Sequence, residues 1–173
     1  MGRDTRLGLP RPTRADLLTA GAEFALDFLA GARRPEGGGQ VNLASMRPAV
    51  ADSTDDIRRP EILIAAGVRR LTKLVLFPVR FMFTAATGRV GTNHAAVEWY
   101  LSRDSAPSRA LVSEALAWRS SEPTDSRHVA ELLQRDMMPL YLYYIDDHVK
   151  RLEAAGNSEL ANGFREWRAC LYS

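Results

Sequence analysis

Residues 77–101 read FPVRFMFTAATGRVGTNHAAVEWYL, and this stretch decides the fold class of the chain. Its first half is an apolar helix that contains one arginine, Arg80, and ends at Gly88, a residue typical of helix C-termini. A short second helix follows and carries His94 and Glu98 one turn apart. Helical bundles usually build small-molecule pockets from such adjacent apolar and polar elements. The stretch therefore predicts an all-α protein with a pocket near these two helices.

Apolar periodicity and capping residues extend this interpretation along the chain. Thr13 and Asp125 are suitable N-caps for two further helices, and a continuous apolar pattern predicts one central helix over 61–88. Within it, Pro78 has no N–H donor and should free the carbonyl of Leu74. We predict a helical bundle of about six or seven helices with a long Gly/Pro-rich N-terminal loop.

The chain divides by composition into two parts. We expect residues 1–52 to form an N-terminal arm, a helix and a flexible loop, and residues 53–173 to form the helical bundle. Together the two parts should make one compact domain. The loop, residues 31–52, contains four glycines and two prolines, and Val41 to Met46 is its only candidate for a short strand. A loop of this length is unusual in a compact domain, so we expect it to be mobile or to cover a site.

Composition excludes several classes of protein. The net charge of +2 and the lack of basic runs argue against nucleic-acid binding. The longest apolar run, Leu74 to Ala86, is interrupted by Arg80 and is shorter than the roughly 20 residues that a membrane span needs. With no signal-type N-terminus, we expect a cytoplasmic protein without membrane contact. Cys170 is the only cysteine, which excludes an internal disulfide, and we expect it to pack in the last helix.

Arg80 is the first candidate site residue, because an unpaired buried charge is very costly. Its candidate partners are Glu98, Asp146 and Asp147. Two interpretations stay open. The pair could fix helix packing, or Arg80 could point into a pocket and hold a carboxylate, a phosphate or a catalytic acid.

His94 and Glu98 form the second candidate, because a carboxylate beside an imidazole raises its pKa and orients it for acid–base work. We predict these two as the catalytic residues, with a solvated surface pair as the alternative. No third ligand is evident, so we predict no metal site and no cofactor. The third candidate is a polar face of the long helix that is predicted to begin after Asp125. This face either lines the pocket or belongs to the core. The predicted substrate-binding residues are Arg80, Asn93, Trp99, Tyr141, Tyr144, Asp147 and His148.

Two stretches resemble a known family: RFMFTAATGRVGTNHAAVEWYL (80–101) and LYLYYIDDHVKRLEAAGNSELANGFREWR (140–168). They are similar to the C-terminal helical domain of aminoglycoside (streptomycin/spectinomycin) adenylyltransferase-like nucleotidyltransferases. In that family the domain closes over a catalytic domain and holds a cationic antibiotic with acidic and aromatic residues. The resemblance implies that Glu98 is an acidic ligand contact and Trp99 its neighbour, while His94 stands where the family has an acid.

The resemblance does not extend to the family's catalytic domain, in which a Gly-Ser turn and an Asp-x-Asp strand bind magnesium and ATP. Only GGGQ (37–40) and STDDI (53–57) echo that pattern, so we do not expect nucleotidyl transfer. We predict a cofactor-independent tailoring enzyme of secondary metabolism, such as antibiotic biosynthesis, which performs a cyclisation, isomerisation or elimination. The alternative is a non-catalytic ligand-binding or drug-resistance accessory module, or the partner of a separate nucleotidyltransferase subunit. The expected partners are a small-molecule ligand and either a second copy or that subunit.

Overall fold

The computed structural model describes residues 10–31 and 53–173, and every regular element in these ranges is an α-helix. The predicted all-α fold class is confirmed. The predicted strand and most of the long loop fall on 32–52, outside the described residues. The eight described helices are α1 (Arg14–Phe28), α2 (Ser53–Arg58), α3 (Pro60–Ala65), α4 (Val68–Thr87), α5 (Asn93–Leu101), α6 (Arg109–Ala117), α7 (Ser126–Ala154) and α8 (Ser158–Leu171).

The predicted central helix over 61–88 is in fact two helices, α3 and α4, and this correction accounts for the eighth element. The chain breaks at Gly67, whose φ of 94° and ψ of 161° lie far from helical values. A side chain with a Cβ rarely adopts such a φ, so glycine at this position permits the turn. At the other end of α4, Gly88 takes the predicted left-handed conformation and its N–H bonds the carbonyl of Thr84.

The predicted N-caps are mostly confirmed. Thr13 forms a reciprocal capping box with Asp16 at the start of α1. Thr92 accepts a hydrogen bond from Ala95 in α5, and Asp125 caps α7. Helix α6 starts after Ser108, whose side chain forms no capping hydrogen bond.

Helix α4 is the centre of the bundle, because α1, α3, α5, α6 and α7 all pack against it. Its residue Pro78 cannot donate to the carbonyl of Leu74 four residues earlier. The hydroxyl of Tyr141 in α7 donates to that carbonyl instead, at 2.7 Å in the buried core. One hydrogen bond thus ties the two longest helices together where the backbone of α4 lacks its own partner.

Helices α7 and α8 form the most extensive helix pair, and α1 packs across α4, α7 and α8. Among the described helices, none combines the length and apolarity needed to cross a bilayer. Cys170, expected to pack in the last helix, is exposed at the end of α8, so that expectation was wrong.

Candidate functional site

One face of α4 is left open by the surrounding helices and forms the floor of a surface groove. The residues along it are spaced by three or four positions, which places them on the same side of a helix. Three of them are cationic, one is aromatic and one carries a hydroxyl group. In order they are Arg69, Lys73, Phe77, Arg80 and Thr84.

The apolar half of the groove lies between α1 and α4 and has a volume of about 350 Å³. Phe24 and Val90 in its lining are 37% and 73% exposed, so apolar surface is available to a ligand here. Among the described residues, Arg80 is the only charged one in its lining. The full lining is Leu17, Ala20, Gly21, Phe24, Phe77, Arg80, Phe81, Thr84 and Val90.

Aromatic rings give the apolar half its shape. The ring of Phe24 in α1 lies 5.9 Å from the rings of both Phe77 and Phe81 in α4, measured between centroids. Phe81 in turn stacks on the buried ring of Tyr144, at 6.1 Å. A Cβ on Gly21 would sit 3.3 Å from the ring of Phe81, so glycine allows α1 to approach this closely. The aromatic wall is therefore continuous with the packed core.

The basic half of the groove adjoins the apolar half and also measures about 350 Å³. Phe77 and Arg80 line both halves, so the two form one continuous groove. Of the lining residues that the structure describes, four are cations and none carries a carboxylate. The lining is Arg69, Lys73, Leu76, Phe77, Arg80, Asn93 and Arg119.

Beyond the basic half, a further cavity of about 290 Å³ shares Arg69 and Arg119 with it. This cavity adds the side chains of Ser120 and Ser121, and its lining also includes the acid Glu122. The polar path therefore continues past the four cations towards hydroxyl groups. Any ligand longer than the basic half would find further hydrogen-bond partners there.

None of the four cations has an ion-pair partner within 10–31 and 53–173. The Nζ of Lys73 lies 5.3 Å from the centre of the Phe77 ring, a cation–π contact that positions it along the floor of the groove. Most other arginines of the bundle are engaged. For example, Arg70 binds the buried Asp56, and Arg151 and Arg168 bind acids of α7. The four cations of the groove differ from these arginines in having no ion-pair partner among the described residues.

Arg80 does not form the ion pair expected from the sequence. It is half-buried at the junction of the two halves. Asp146 accepts instead from Arg168 at 2.9 Å, and Asp147 from Arg151 at 2.8 Å. Glu98, the third candidate partner, is exposed and forms no ion pair with a described residue. The guanidinium is therefore available to a ligand.

The predicted catalytic pair lies outside the groove. His94 and Glu98 are both exposed on α5, and no hydrogen bond or ion pair joins their side chains. Asn93, at the start of the same helix, does line the basic half. Trp99 packs edge-on against Phe83, and the guanidinium of Arg103 lies 4.8 Å from its ring centre. Of the predicted residues on α5, the structure brings only Asn93 to Arg80.

The polar residues predicted on α7 belong to the core. Tyr141, Tyr144 and His148 are each at most 1% exposed. The ring of His148 lies 4.4 Å from that of Tyr144 and stacks on Phe164 at 5.5 Å. Burial raises the pKa of both tyrosines well above the usual value. Ionised forms of these phenols are thus disfavoured, and the rings form structure behind the groove rather than its surface.

Asp147 and His148 form a partly buried polar pair at the edge of this core. The Nδ1 of His148 lies 3.4 Å from Oδ2 of Asp147, which is longer than an ordinary charge-assisted hydrogen bond. Burial lowers the pKa of His148, and this outweighs the opposite influence of Asp147. For Asp147, burial acts to raise its pKa, but the neighbouring His148 and the hydrogen bond from Arg151 lower it overall. The imidazole is thus held in its neutral form.

Most residues of the groove were not identified from the sequence. Phe24, Phe77 and Phe81 were not predicted as site residues, and neither were Arg69 and Lys73. The spacing of Arg69, Lys73 and Arg80 on one helix face was a signal that could have joined them. No comparable signal existed for Arg119, which follows α6 and reaches the groove only through the fold.

Within the described ranges, no three His, Cys, Asp or Glu side chains lie close enough together to hold a metal ion. Comparisons with family models, with curated proteins and with solved structures gave no match. The resemblance to the helical domain of aminoglycoside adenylyltransferases therefore stays a prediction from the sequence. The groove along α4 is therefore the candidate functional site.

Proposed function

We propose that this protein binds a small molecule that joins an anionic group to an apolar body, and that it holds this ligand in the groove along α4. The observation that carries the proposal is the position of Arg80. This half-buried guanidinium has no ion-pair partner among the described residues and stands between an aromatic cleft and a basic one. Each half has the volume of a small-ligand pocket, for which roughly 300–1,000 Å³ is usual.

The apolar half would supply most of the binding free energy. Burial of an apolar chain contributes about 0.8 kcal/mol for each CH₂ group removed from water. The rings of Phe24, Phe77 and Phe81 offer this contact with little loss of side-chain entropy, because they already pack on one another. Arg80 would then orient the ligand, since its planar fork can donate two parallel hydrogen bonds to one anionic group.

The charge of the groove also bears on the two functions predicted from the sequence. A groove lined by four cations repels a polycationic antibiotic, so it does not favour the ligand of the adenylyltransferase-like domain. His94 and Glu98 lie outside the groove, so we propose binding rather than turnover at this site. Their acid–base role stays a prediction, which an alanine double variant would test once a substrate is known.

Isothermal titration with octanoate tests the proposal, and octanol serves as the uncharged probe. Octanoate should bind more tightly than octanol. Arg80→Ala should weaken octanoate binding on the order of tenfold, the effect of losing one charged hydrogen bond of about 1.5 kcal/mol. Octanol binding should change little in the same variant.

A second variant tests the apolar half. Ala20 is exposed and lines the groove, so Ala20→Trp should fill it and abolish octanoate binding without disturbing the core. Ala15→Trp is the matched control, because Ala15 is exposed on the same helix and outside the lining. The proposal is wrong if neither octanoate nor any other apolar anion binds, or if the two tryptophan variants behave alike.

A further inference from the structure

We infer that the anionic group of the ligand is a phosphate monoester or a diphosphate rather than a carboxylate. This inference rests on the proposed function and names the class of ligand that the groove would take. A phosphoryl group attached to an alkyl, prenyl or aromatic body would lie across Phe77 and Arg80, with its head in the basic half. The geometry of the basic half carries the argument.

The positive charge of the basic half favours a phosphoryl group. Arg69, Lys73, Arg80 and Arg119 line one cleft of about 350 Å³, to which no carboxylate of residues 10–31 or 53–173 contributes. A single carboxylate at Arg80 would leave three cations crowded together without a counter-charge. A phosphate monoester carries about −1.5 to −2 near neutral pH, and a diphosphate carries more. A multiply charged head therefore balances the cleft far better than a carboxylate does.

The number of hydrogen-bond donors in the basic half also favours a phosphoryl group. Three guanidinium groups and one ammonium group present many more N–H donors than the two oxygens of a carboxylate can accept. The terminal oxygens of a phosphoryl group accept several hydrogen bonds at once, and arginine forks match them in pairs. Three arginines around one cleft are thus suited to a tetrahedral oxyanion.

The basic half continues into a further polar cavity. The adjoining cavity shares Arg69 and Arg119 and adds the side chains of Ser120 and Ser121, which can donate hydrogen bonds. The polar path is therefore longer than one phosphate needs. A head with two linked phosphates would reach these hydroxyl groups while its apolar body stays between Phe24 and Phe81.

The same chemistry occurs in two sources, a soluble phosphoester and the phosphate head of a membrane lipid. The experiment compares them directly. Octyl phosphate and octanoate are titrated calorimetrically above pH 7, where the phosphate is largely dianionic. Separately, co-sedimentation is measured with phosphatidylcholine vesicles that do or do not contain phosphatidic acid.

The decisive variant is Arg69→Ala/Arg119→Ala, which removes two charges from the basic half and leaves Arg80. Its matched control is Arg58→Ala/Lys150→Ala, which removes two exposed charges outside the groove. All four residues are exposed, so the variants should fold, and helical circular dichroism verifies this.

We expect octyl phosphate to bind at least about tenfold more tightly than octanoate, and the groove variant to lose that preference, because each charged contact contributes on this scale. Octanoate binding should fall by a smaller factor than octyl phosphate binding, and the control should retain the preference. Vesicle binding that requires phosphatidic acid and exceeds octyl phosphate binding would assign the head to a lipid.

Equal affinity for octyl phosphate and octanoate would overturn the inference, and so would a preference that survives in the groove variant. Either result would leave the proposed function standing, because an apolar anion would still bind. Absence of binding by both probes would instead refute the proposed function itself. The two failures are therefore distinguishable in one set of titrations.

Discussion

The hydroxyl of Tyr141 donates a buried hydrogen bond to the carbonyl oxygen of Leu74, with 2.7 Å between the two oxygen atoms. This carbonyl is the one that Pro78, four residues later, leaves without a backbone N–H. A buried carbonyl without a partner would be destabilising, so the phenol compensates for the proline. This hydrogen bond gives the fully buried Tyr141 a structural role in the core.

Tyr141→Phe should therefore lower the free energy of unfolding by about 1–3 kcal/mol, the effect of stranding a buried acceptor. Pro78→Ala restores an N–H that can bond the Leu74 carbonyl. In a Pro78→Ala background, Tyr141→Phe should have a clearly smaller effect. Urea unfolding of the four proteins gives this coupling directly, and purely additive effects would show that the hydroxyl does not serve the freed carbonyl.

A second prediction concerns the attachment of α2 to α4. Asp56 in α2 is 5% exposed and accepts from Nε of Arg70 at 2.8 Å. Asp56→Asn should lower the free energy of unfolding by about 1–3 kcal/mol, because a half-buried guanidinium loses its charged acceptor.

Asp55→Asn is the matched control for this change, because the ion pair between Asp55 and Arg59 is 56% exposed on both sides. Its effect should stay below about 0.5 kcal/mol, as is usual for surface pairs. Thermal or chemical denaturation measures both. Equal effects of the two substitutions would mean that the Asp56–Arg70 pair contributes no more than a surface pair does.

A third prediction follows from the burial of His148, which lowers its pKa. Above a pH of about 6.5, the usual histidine pKa, the imidazole is neutral in both states and contributes no pH dependence. Below it, the unfolded chain takes up a proton that buried His148 does not, so stability falls as the pH falls. The loss should approach about 1.4 kcal/mol per pH unit.

His148→Phe removes this dependence. The exposed His94 and His128 are present in both proteins, so their contributions to the pH dependence cancel in the comparison. Between pH 7.5 and pH 5.5, wild type should lose more stability than the variant, by at most about 1.4 kcal/mol for each pH unit. Asp147 acts in a different window, because a lowered carboxyl pKa costs stability only as the pH falls towards about 4. Parallel stability curves for the two proteins between these pH values would contradict a neutral, buried His148.

The fold could be predicted well because its signals are local. Capping residues such as Thr13 and Thr92, and the glycine that ends α4, act through their own backbone geometry. The break at Gly67 was missed because apolar spacing continues through it, and a helix tolerates one glycine at about 1 kcal/mol. Only the observed φ of 94° shows that the chain turns there.

The site could be predicted only in fragments, because it depends on tertiary placement. Arg80 and Asn93 were identified, and both line the groove. Tyr144 and His148 share a helix face in the way that pocket residues do, but a core face has the same spacing. Arg119 comes from a different part of the chain and carries no periodic signal at all. Sequence patterns identify a helix face without saying what covers it.

The two walls of the apolar cleft come from helices far apart in the chain, Phe24 from α1 and Phe77 and Phe81 from α4. A molecule seated between them joins the first described helix to the middle of the bundle. Ligand affinity and the tertiary docking of α1 are therefore thermodynamically linked. At a hundredfold excess over its dissociation constant, such a ligand would add about 2.7 kcal/mol to the stability of the folded state. The protein's resistance to unfolding would then report the concentration of its ligand.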